Sequence, residues 1–323
     1  MALGPQPTAV IALGGNALLP RGEKPEAGTQ LLAARAAARA IAPVADDFRL
    51  VVTHGNGPQV GLLALIGESY GDVEAYPLDV LDAESEGQIG YVVELELDNA
   101  IAGYETVALI TRVVVDEDDP AFAEPAKFIG PVYAEAEARA QASARGWTVK
   151  PDGDAWRRVV PSPEPRRILE LGAVRRLTTA GFVVVCAGGG GVPVVAGPDG
   201  LRGVEAVIDK DLCSALLARE LGAEVLVLAT DVDGVYLDWG EPDQRRLTQA
   251  TPEELRRHGF AAGSMGPKVE AACRFAEAGG RAAIGALDQL EGLLDGTSGT
   301  QVSGGDPATA GIAATSRHEW GKR

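Results

Sequence analysis

The chain has 323 residues, 46% hydrophobic and 23% charged, enough to bury one large core or two smaller ones and too apolar for a disordered segment. Its formal net charge of −17 argues against nucleic acid or an anionic membrane as a partner, since both need a basic face, and means that an anionic ligand must be met by a local positive pocket. Three cysteines, Cys186, Cys213 and Cys273, lie in apolar contexts without a CxxC pair; with no basic-then-apolar leader and no unbroken apolar run long enough to cross a bilayer, the reading is a cytoplasmic protein of a reducing compartment.

Ala9 to Leu13, AVIAL, predicts a short buried strand that runs into Gly14-Gly15-Asn16 and a helix start, where a glycine pair lets backbone amides approach a ligand. Leu31 to Val44 predicts an alanine-rich helix packed on a sheet. Arg49 to Gly61, RLVVTHGNGPQVG, repeats the strand-then-glycine pattern. Its Gly55-Asn56-Gly57 has the spacing G-x-G-x-x-x-G with a proline inside, which is not the dinucleotide fingerprint and disfavours a Rossmann dehydrogenase. His54 beside that turn reads as a hydrogen-bonded structural residue rather than a catalyst. Leu81 to Leu97 predicts a helix and Glu105 to Val115 one strand.

From Asp116 to about Pro165 proline and charge density rise, and an excursion from the main sheet is expected, with Lys127 held between prolines in AKFIGP. Phe182 to Val195, FVVVCAGGGGVPVV, reads as one buried strand ending in four glycines, suited to close backbone approach or tight packing. In Gly203 to Tyr236, Asp209 is placed to cap a helix whose opening turn holds Lys210 and Asp211, with Leu212, Leu216, Leu217 and Leu221 as one buried stripe opposite Arg219 and Glu220. Ala223 to Ala229 is an apolar strand, and TDVDG after it is a turn at the strand end where open α/β sheets collect ligands. A polar helix follows near Pro252 to His258, then the loop Gly263 to Lys268 opens a helix with Lys268 in its first turn. Residues 303–323 read as a frayed tail. The strand-plus-glycine theme at 9–16, 50–57 and 183–191 implies three strand ends gathered at one edge of a parallel sheet.

Only six lysines occur, and Lys127, Lys210 and Lys268 fall inside glycine-rich or charged motifs where a compact point charge is wanted. No GxxxxGK[ST] P-loop is present, so a phosphate grip has to come from scattered glycine turns, helix starts and these lysines. Phosphoryl transfer asks for little else, because alignment and neutralisation of spread charge lower most of its barrier. The residues alone lead to a phosphotransferase for a small anion.

Eight segments, VIALGGNALL, THGNGPQVGLL, PLDV, KFIGP, RRVVPSPEP, GVEAVIDKDL, TDVDGVYL and GSMGPKVEAA, occur in an order that resembles the motif series of the carbamate kinases, in the amino acid kinase superfamily, over nearly the whole chain. The resemblance implies an α/β fold, an open three-layer αβα sandwich with a mainly parallel central sheet and a small protruding subdomain. It implies a single domain with an N-lobe over about 1–202 on the carbamate side, the subdomain at about 116–165, a C-lobe over about 203–302 on the nucleotide side and a flexible tail at 303–323. It further implies a homodimer and reversible transfer between ATP, with Mg²⁺ mainly on its phosphates, and carbamate, giving ADP and carbamoyl phosphate, often run towards ATP.

By motif, Gly14, Gly15, Asn16, Gly55 and Asn56 would line the carbamate and phosphoryl pocket; Lys127 would reach in from the subdomain; Lys210 would hold phosphates with Asp211 orienting the lysines; and Lys268 would bind the outer phosphates. Thr230, Asp231, Val232, Tyr236, Met265 and Gly266 would border the adenosine. Carbamate is already an anion, so no catalytic base is required, and the sequence offers no obvious one. Two departures stand out: Ala126-Lys127-Phe128 where the family more often has T-K-P-I-G, and the extra acid of LDAESEGQIGY at 81–91. The alternatives are a kinase of the same fold for another small anionic acceptor and a nucleotide-binding sensor without turnover.

Overall fold

The computed structural model describes residues 6–19, 23–69, 74–260 and 265–305, with Asn16 described in its backbone only. β1 (Thr8–Leu13) is buried from Ala9 onward, as an apolar strand covered on both faces must be, and ends in a 3-10 turn at Gly15–Ala17. α1 (Ala27–Ile41) turns Ala34, Ala37, Ala38 and Ile41 inward at helical spacing. β2 (Arg49–His54) and α2 (Gly57–Ser69) follow, then α3 (Leu78–Ala100), a long helix with polar side chains on its buried face.

The single strand expected over Glu105–Val115 is two, β3 (Thr106–Ala108) and β4 (Arg112–Val114), in different sheets. The chain crosses between them because the Thr111 N–H is given to the Glu86 carboxyl at 3.0 Å instead of to a ladder. β5 (Lys127–Tyr133), α4 (Glu135–Arg145), β6 (Thr148–Asp152) and β7 (Ala155–Val160) build a separate antiparallel sheet of order β5-β7-β6. β8 (Arg167–Ile168) and α5 (Leu171–Ala180) lead to β9 (Val183–Val185). Phe182–Val195 also divides, into β9 and β10 (Val192–Gly197), since the glycines at 188–191 turn the chain out of one sheet and into another.

β11 (Gly200–Gly203) pairs with β10, and α6 (Lys210–Leu221) and β12 (Val225–Thr230) follow. β13 (Val235–Leu237) and β14 (Arg245–Leu247) form a two-stranded ribbon. β15 (Gln249–Ala250), α7 (Pro252–Arg256), α8 (Met265–Glu277), β16 (Arg281–Ala286), α9 (Leu290–Asp295) and β17 (Thr300–Ser303) complete the described chain. The expected tail begins inside the sheet, at Ser303, and its residues 306–323 lie outside the described residues.

The main sheet has the order β15-β17-β16-β12-β1-β2-β9-β3, and its six strands from β16 to β3 are parallel neighbours. Alternation along β1 sends Val10 and Ala12 into one apolar cluster with α6 and α8, and Ala9, Ile11 and Leu13 into another with α1 and α3. Helices therefore cover both faces, giving the expected three-layer αβα sandwich with a mainly parallel sheet. The one-stripe reading of α6 needs correction. It packs on α8, on β1 and on the glycine turn, so Lys210, Asp211 and Cys213–Ala218 are all buried while Leu212 and Leu221 are only half-buried. Among the described residues no helix is long and apolar enough to cross a membrane.

Candidate active site

β1, β2 and β9 are adjacent and parallel, so their C-terminal loops leave the sheet at one edge, as the repeated strand-plus-glycine pattern implies. The loops touch. A Cβ added to Gly55 would lie 3.6 Å from the Gly15 Cα, and one added to Gly14 would lie 2.7 Å from the Ala229 carbonyl oxygen at the end of β12. Gly189 (φ 68) presses on the Asn56 amide and Gly190 (φ 100) on the Ile208 carbonyl, where added Cβ atoms would come within 2.2 and 2.6 Å; only glycine suits both the left-handed backbone and the close approach. Ala187 also sits at positive φ, 51°, at a cost of about 1 kcal/mol. Its N–H donates to Thr111 Oγ1 at 3.0 Å, which helps to hold that turn.

Ile208 on Gly190 brings the start of α6 beside these turns. Asp209 caps the helix through Oδ1, which accepts from the N–H groups of Asp211 at 2.9 Å and Leu212 at 3.1 Å. Its Oδ2 takes Lys127 Nζ, from β5, at 2.5 Å. Asp211 holds the other two lysines: Lys210 Nζ is 2.6 Å from Oδ1, and Lys268 Nζ, from α8, donates to Oδ2 at 3.1 Å. Three ammoniums thus meet two carboxylates, which leaves one net positive charge at a helix N-terminus in an acidic protein.

Burial dominates the ionisation of this group. It pulls the Lys210 ammonium below its ordinary range, against the attraction of Asp211. Burial alone would raise the Asp211 carboxyl, but the ammoniums of Lys210 and Lys268 outweigh it and hold the group below the usual carboxylate range. At Lys127, burial is likewise outweighed, here by Asp209, and the ammonium is strengthened. Lys210 is 8% exposed and its ammonium pairs only with Asp211 Oδ1, so two of its three N–H donors have no acceptor among the described residues. A charged donor left open beside backbone amides is what phosphate oxygens require.

α3 forms the opposite wall. Asp82, Ser85 and Glu86 share one buried face of it, at i, i+3 and i+4. Asn56 Nδ2 donates to Asp82 Oδ1 at 3.0 Å and to Ser85 Oγ at 2.9 Å. Glu86 Oε1 accepts from the Gly188 N–H at 2.8 Å and Oε2 from the Thr111 N–H at 3.0 Å, so one carboxyl fixes both crossings between the sheets. Burial pushes Glu86 up to about 8 despite those two donors, and carries Asp82 well above its ordinary value. His54 is fully buried, and burial draws its pKa down to about 4, which leaves the ring neutral near pH 7.

On the other flank, Thr230 ends β12 beside Gly14, and Asp231 and Val232 open the turn that follows. Tyr236 donates its hydroxyl to Asp233 Oδ1 at 2.7 Å, and its ring meets Trp239 edge-on with centroids 5.1 Å apart. Met265 and Gly266 begin α8, one turn from Lys268; the residues 261–264 before them lie outside the described residues. The side chain of Asn16 is outside the description too, although its backbone belongs to the turn after β1.

Asp82, Ser85, Glu86 and Thr111 are absent from the sequence-derived site, and Asp209 stood there only as a cap. The signal was available in α3. Its buried positions include Leu78, Leu81, Asp82, Ser85, Glu86, Ile89, Gly90 and Val93, so three polar residues sit on an apolar stripe.

The amino acid kinase family matches residues 7–284 of the chain. The carbamate kinase of Rhizobium meliloti (strain 1021) is 54% identical over 299 residues, covering 91% of this chain and 92% of that protein. That of Escherichia coli (strain K12) is 50% identical over 92% of this chain and 99% of that protein. Among solved structures, carbamate kinase from Giardia lamblia bound to AMP-PNP superposes with a TM-score of 0.85 at 37% identity, covering 93% of this chain and 99% of that one.

Proposed function

The chain belongs to the amino acid kinase family, and from that membership we infer that it is a carbamate kinase, an ATP-dependent phosphotransferase that makes ADP and carbamoyl phosphate from ATP and carbamate and runs in reverse. The observation that carries the reading is the cluster of Lys127, Lys210 and Lys268 around Asp209 and Asp211 beside the glycine turns.

In the forward direction a carbamate oxygen attacks the γ-phosphorus, the bond from that phosphorus to the β–γ bridging oxygen breaks, and ADP leaves with the electron pair. Carbamate enters as an anion, so no proton has to be removed, and the work of the site is positioning and charge neutralisation. Lys210, with open donors, neutralises the transferring oxygens; Lys268 holds the outer phosphates; Lys127 approaches the acceptor from the other side; Asp211 keeps the first two in register. Gly14, Gly15, Asn16, Gly55 and Asn56 line the acceptor pocket with backbone amides and one amide side chain. Thr230, Asp231, Val232, Tyr236, Met265 and Gly266 border the nucleoside, consistent with AMP-PNP bound to the Giardia relative. The chain up to about residue 202 serves the carbamate side and 203–302 the nucleotide side.

Magnesium would come to the site with the nucleotide and supply positive charge that offsets that of the phosphates. No cluster of three or more His, Cys, Asp or Glu side chains that could hold a metal ion exists among the described residues, and Asp209 and Asp211 are engaged by lysines. That donor set fits an ion carried by phosphates rather than one caged by protein. A homodimer is proposed as well: β3 is an edge strand, and Tyr91 and Leu95 on α3 are 63% and 40% exposed, an apolar face that a second copy would cover.

The test is ATP formation from carbamoyl phosphate, ADP and Mg²⁺ by the wild type and by Lys210→Ala. Rapid formation that the variant loses supports reaction and residue together; a wild-type rate equal to the blank, with ADP still bound, removes carbamate as the acceptor.

A further inference from the structure

The Asn56 side chain has only one polar atom left for a ligand. Its nitrogen gives hydrogens to Asp82 Oδ1 and Ser85 Oγ, at 3.0 and 2.9 Å. The neighbours fix which end of the amide is which, because the Ser85 hydroxyl gives its own hydrogen to the Asp82 carbonyl at 3.0 Å and can only accept from Asn56. The flipped amide would set its carbonyl oxygen against a hydroxyl whose hydrogen is already used, and would need the Asp82 proton on Oδ1. Asp82 Oδ2 has no partner, and burial pushes that carboxyl well above its ordinary value; a proton on Oδ2 leaves Oδ1 as the acceptor Asn56 needs. The Asn56 oxygen therefore points away from α3. The whole amide lies beside Gly189, where an added Cβ would come 2.2 Å from Nδ2 and 2.6 Å from Oδ1, and Oδ1 accepts no hydrogen bond among the described residues.

The anion in question has a group that matches. Carbamate and acetate share a carboxylate, and differ in that carbamate carries NH₂ where acetate carries a methyl. The same difference separates carbamoyl phosphate from acetyl phosphate. A carbonyl oxygen at the pocket wall accepts from NH₂ and gains nothing from a methyl group, which leaves that oxygen desolvated and unpaired. The glycine turns supply N–H donors, suited to carboxylate and phosphoryl oxygens; an acceptor among them serves a different end of the substrate.

We propose that Asn56 Oδ1 reads the amino group of carbamate and carbamoyl phosphate, and that Asp82 and Ser85 are positioning residues that hold the amide with its oxygen towards the substrate. The inference rests on the carbamate kinase reading and gives one acid of the α3 segment, Asp82, a role. Asp82 and Ser85 touch no reacting atom and act through Asn56 alone.

The experiment compares kcat and KM for carbamoyl phosphate and for acetyl phosphate, each with ADP and Mg²⁺, in the full-length wild type, Asn56→Ala, Ser85→Ala, Asp82→Ala and Asp82→Asn. Where acetyl phosphate turnover is below detection, its inhibition constant against carbamoyl phosphate replaces kcat/KM. The preference for carbamoyl phosphate is expected to fall about tenfold or more in Asn56→Ala, with a smaller fall in Ser85→Ala and Asp82→Ala, carried by KM for carbamoyl phosphate. Asp82→Asn, which can keep an oxygen on the Asn56 nitrogen, should retain most of the preference. Thermal unfolding checks that each variant is folded, and Ser85→Ala, the mildest change, stands in for any that is not. An unchanged preference in Asn56→Ala or Ser85→Ala, or equal losses with both substrates, overturns the inference. A wild type that forms no ATP from carbamoyl phosphate overturns the functional reading instead, so the two failures are distinct.

Discussion

Lys127 Nζ lies 2.5 Å from Asp209 Oδ2, while the other oxygen of the same carboxyl caps α6. One side chain thus joins the antiparallel unit of β5, β6 and β7 to the start of α6. The Lys127 side chain is 36% exposed, so solvent screens the pair and its direct contribution to stability is small. Its effect is on position.

Asp209→Asn separates the two roles, because asparagine caps a helix as well as aspartate does but cannot balance an ammonium. Unfolding free energy in urea is expected to change by less than about 1 kcal/mol while ATP formation falls roughly tenfold or more. Asp209→Ala should lose the cap too, costing about 1 kcal/mol beyond the asparagine variant. Full activity in Asp209→Asn would show that Lys127 needs no anchor.

Lys210→Arg keeps the charge and changes its shape. The planar fork spreads the charge over a group too wide for a site that leaves Lys210 only 8% exposed. kcat is expected to drop about a hundredfold or more, with nucleotide affinity, read by calorimetry, less affected.

α2 offers a paired test of how the β5 unit is seated. A Cβ on Gly61 would lie 2.0 Å from the Gly130 Cα, so Gly61→Ala must push β5 away from α2; it should cost roughly 2 kcal/mol and lower turnover as Lys127 retreats. Gly67 in the same helix meets nothing nearer than the Ala75 Cβ at 3.9 Å, and Gly67→Ala should be neutral or stabilising by up to about 1 kcal/mol. Equal behaviour of the two variants in urea denaturation would refute the seating argument.

Glu86 makes stability depend on pH. Its folded pKa, about 8, is raised by burial above the ordinary 4.5, so the folded protein binds the extra proton. The contribution is therefore full below about 4.5 and is lost as pH rises through 8, at about 1.4 kcal/mol per unit at most. His54 works in the opposite sense: its pKa of about 4, below the ordinary 6.5, makes stability rise with pH across that interval. Glu86→Gln should carry a constant cost, because its amide nitrogen faces one of the two backbone donors, but should remove the Glu86 share of the decline and leave that of Asp82. Urea midpoints of both proteins at about pH 5.5, 7 and 8.5 measure the difference, and parallel curves would reject the raised value.

The central architecture was legible because it follows from runs of apolar residues and from glycine placement. AVIAL, RLVVTH and the valines at 183–185 each announce a strand, and their glycines mark the edge where the three strand ends gather. The lysines stood out by rarity. The sheet switches were not legible: Glu105–Val115 looks continuous, and the glycines after Phe182 mark a strand end but not a second strand in another sheet, since what redirects the chain is the distant Glu86 carboxyl and close packing against Asn56 and Ile208. Nor could local periodicity give the pairing of Lys127 with Asp209, 82 residues away, or of Lys268 with Asp211, 57 residues away. Acid on the apolar stripe of α3 shows in the sequence as excess charge, but nothing local says that it meets Asn56 and the glycine turn.

Those same separations bear on biosynthesis. The ribosome delivers the ammoniums in the order Lys127, Lys210, Lys268, and Asp211 has only one of its two cations until α8 has emerged and docked. The main sheet is finished later still, when β16 joins β12 and β17 slots between β16 and β15. A nascent or truncated chain that ends before α8 lacks Lys268 and leaves Asp211 with Lys210 alone.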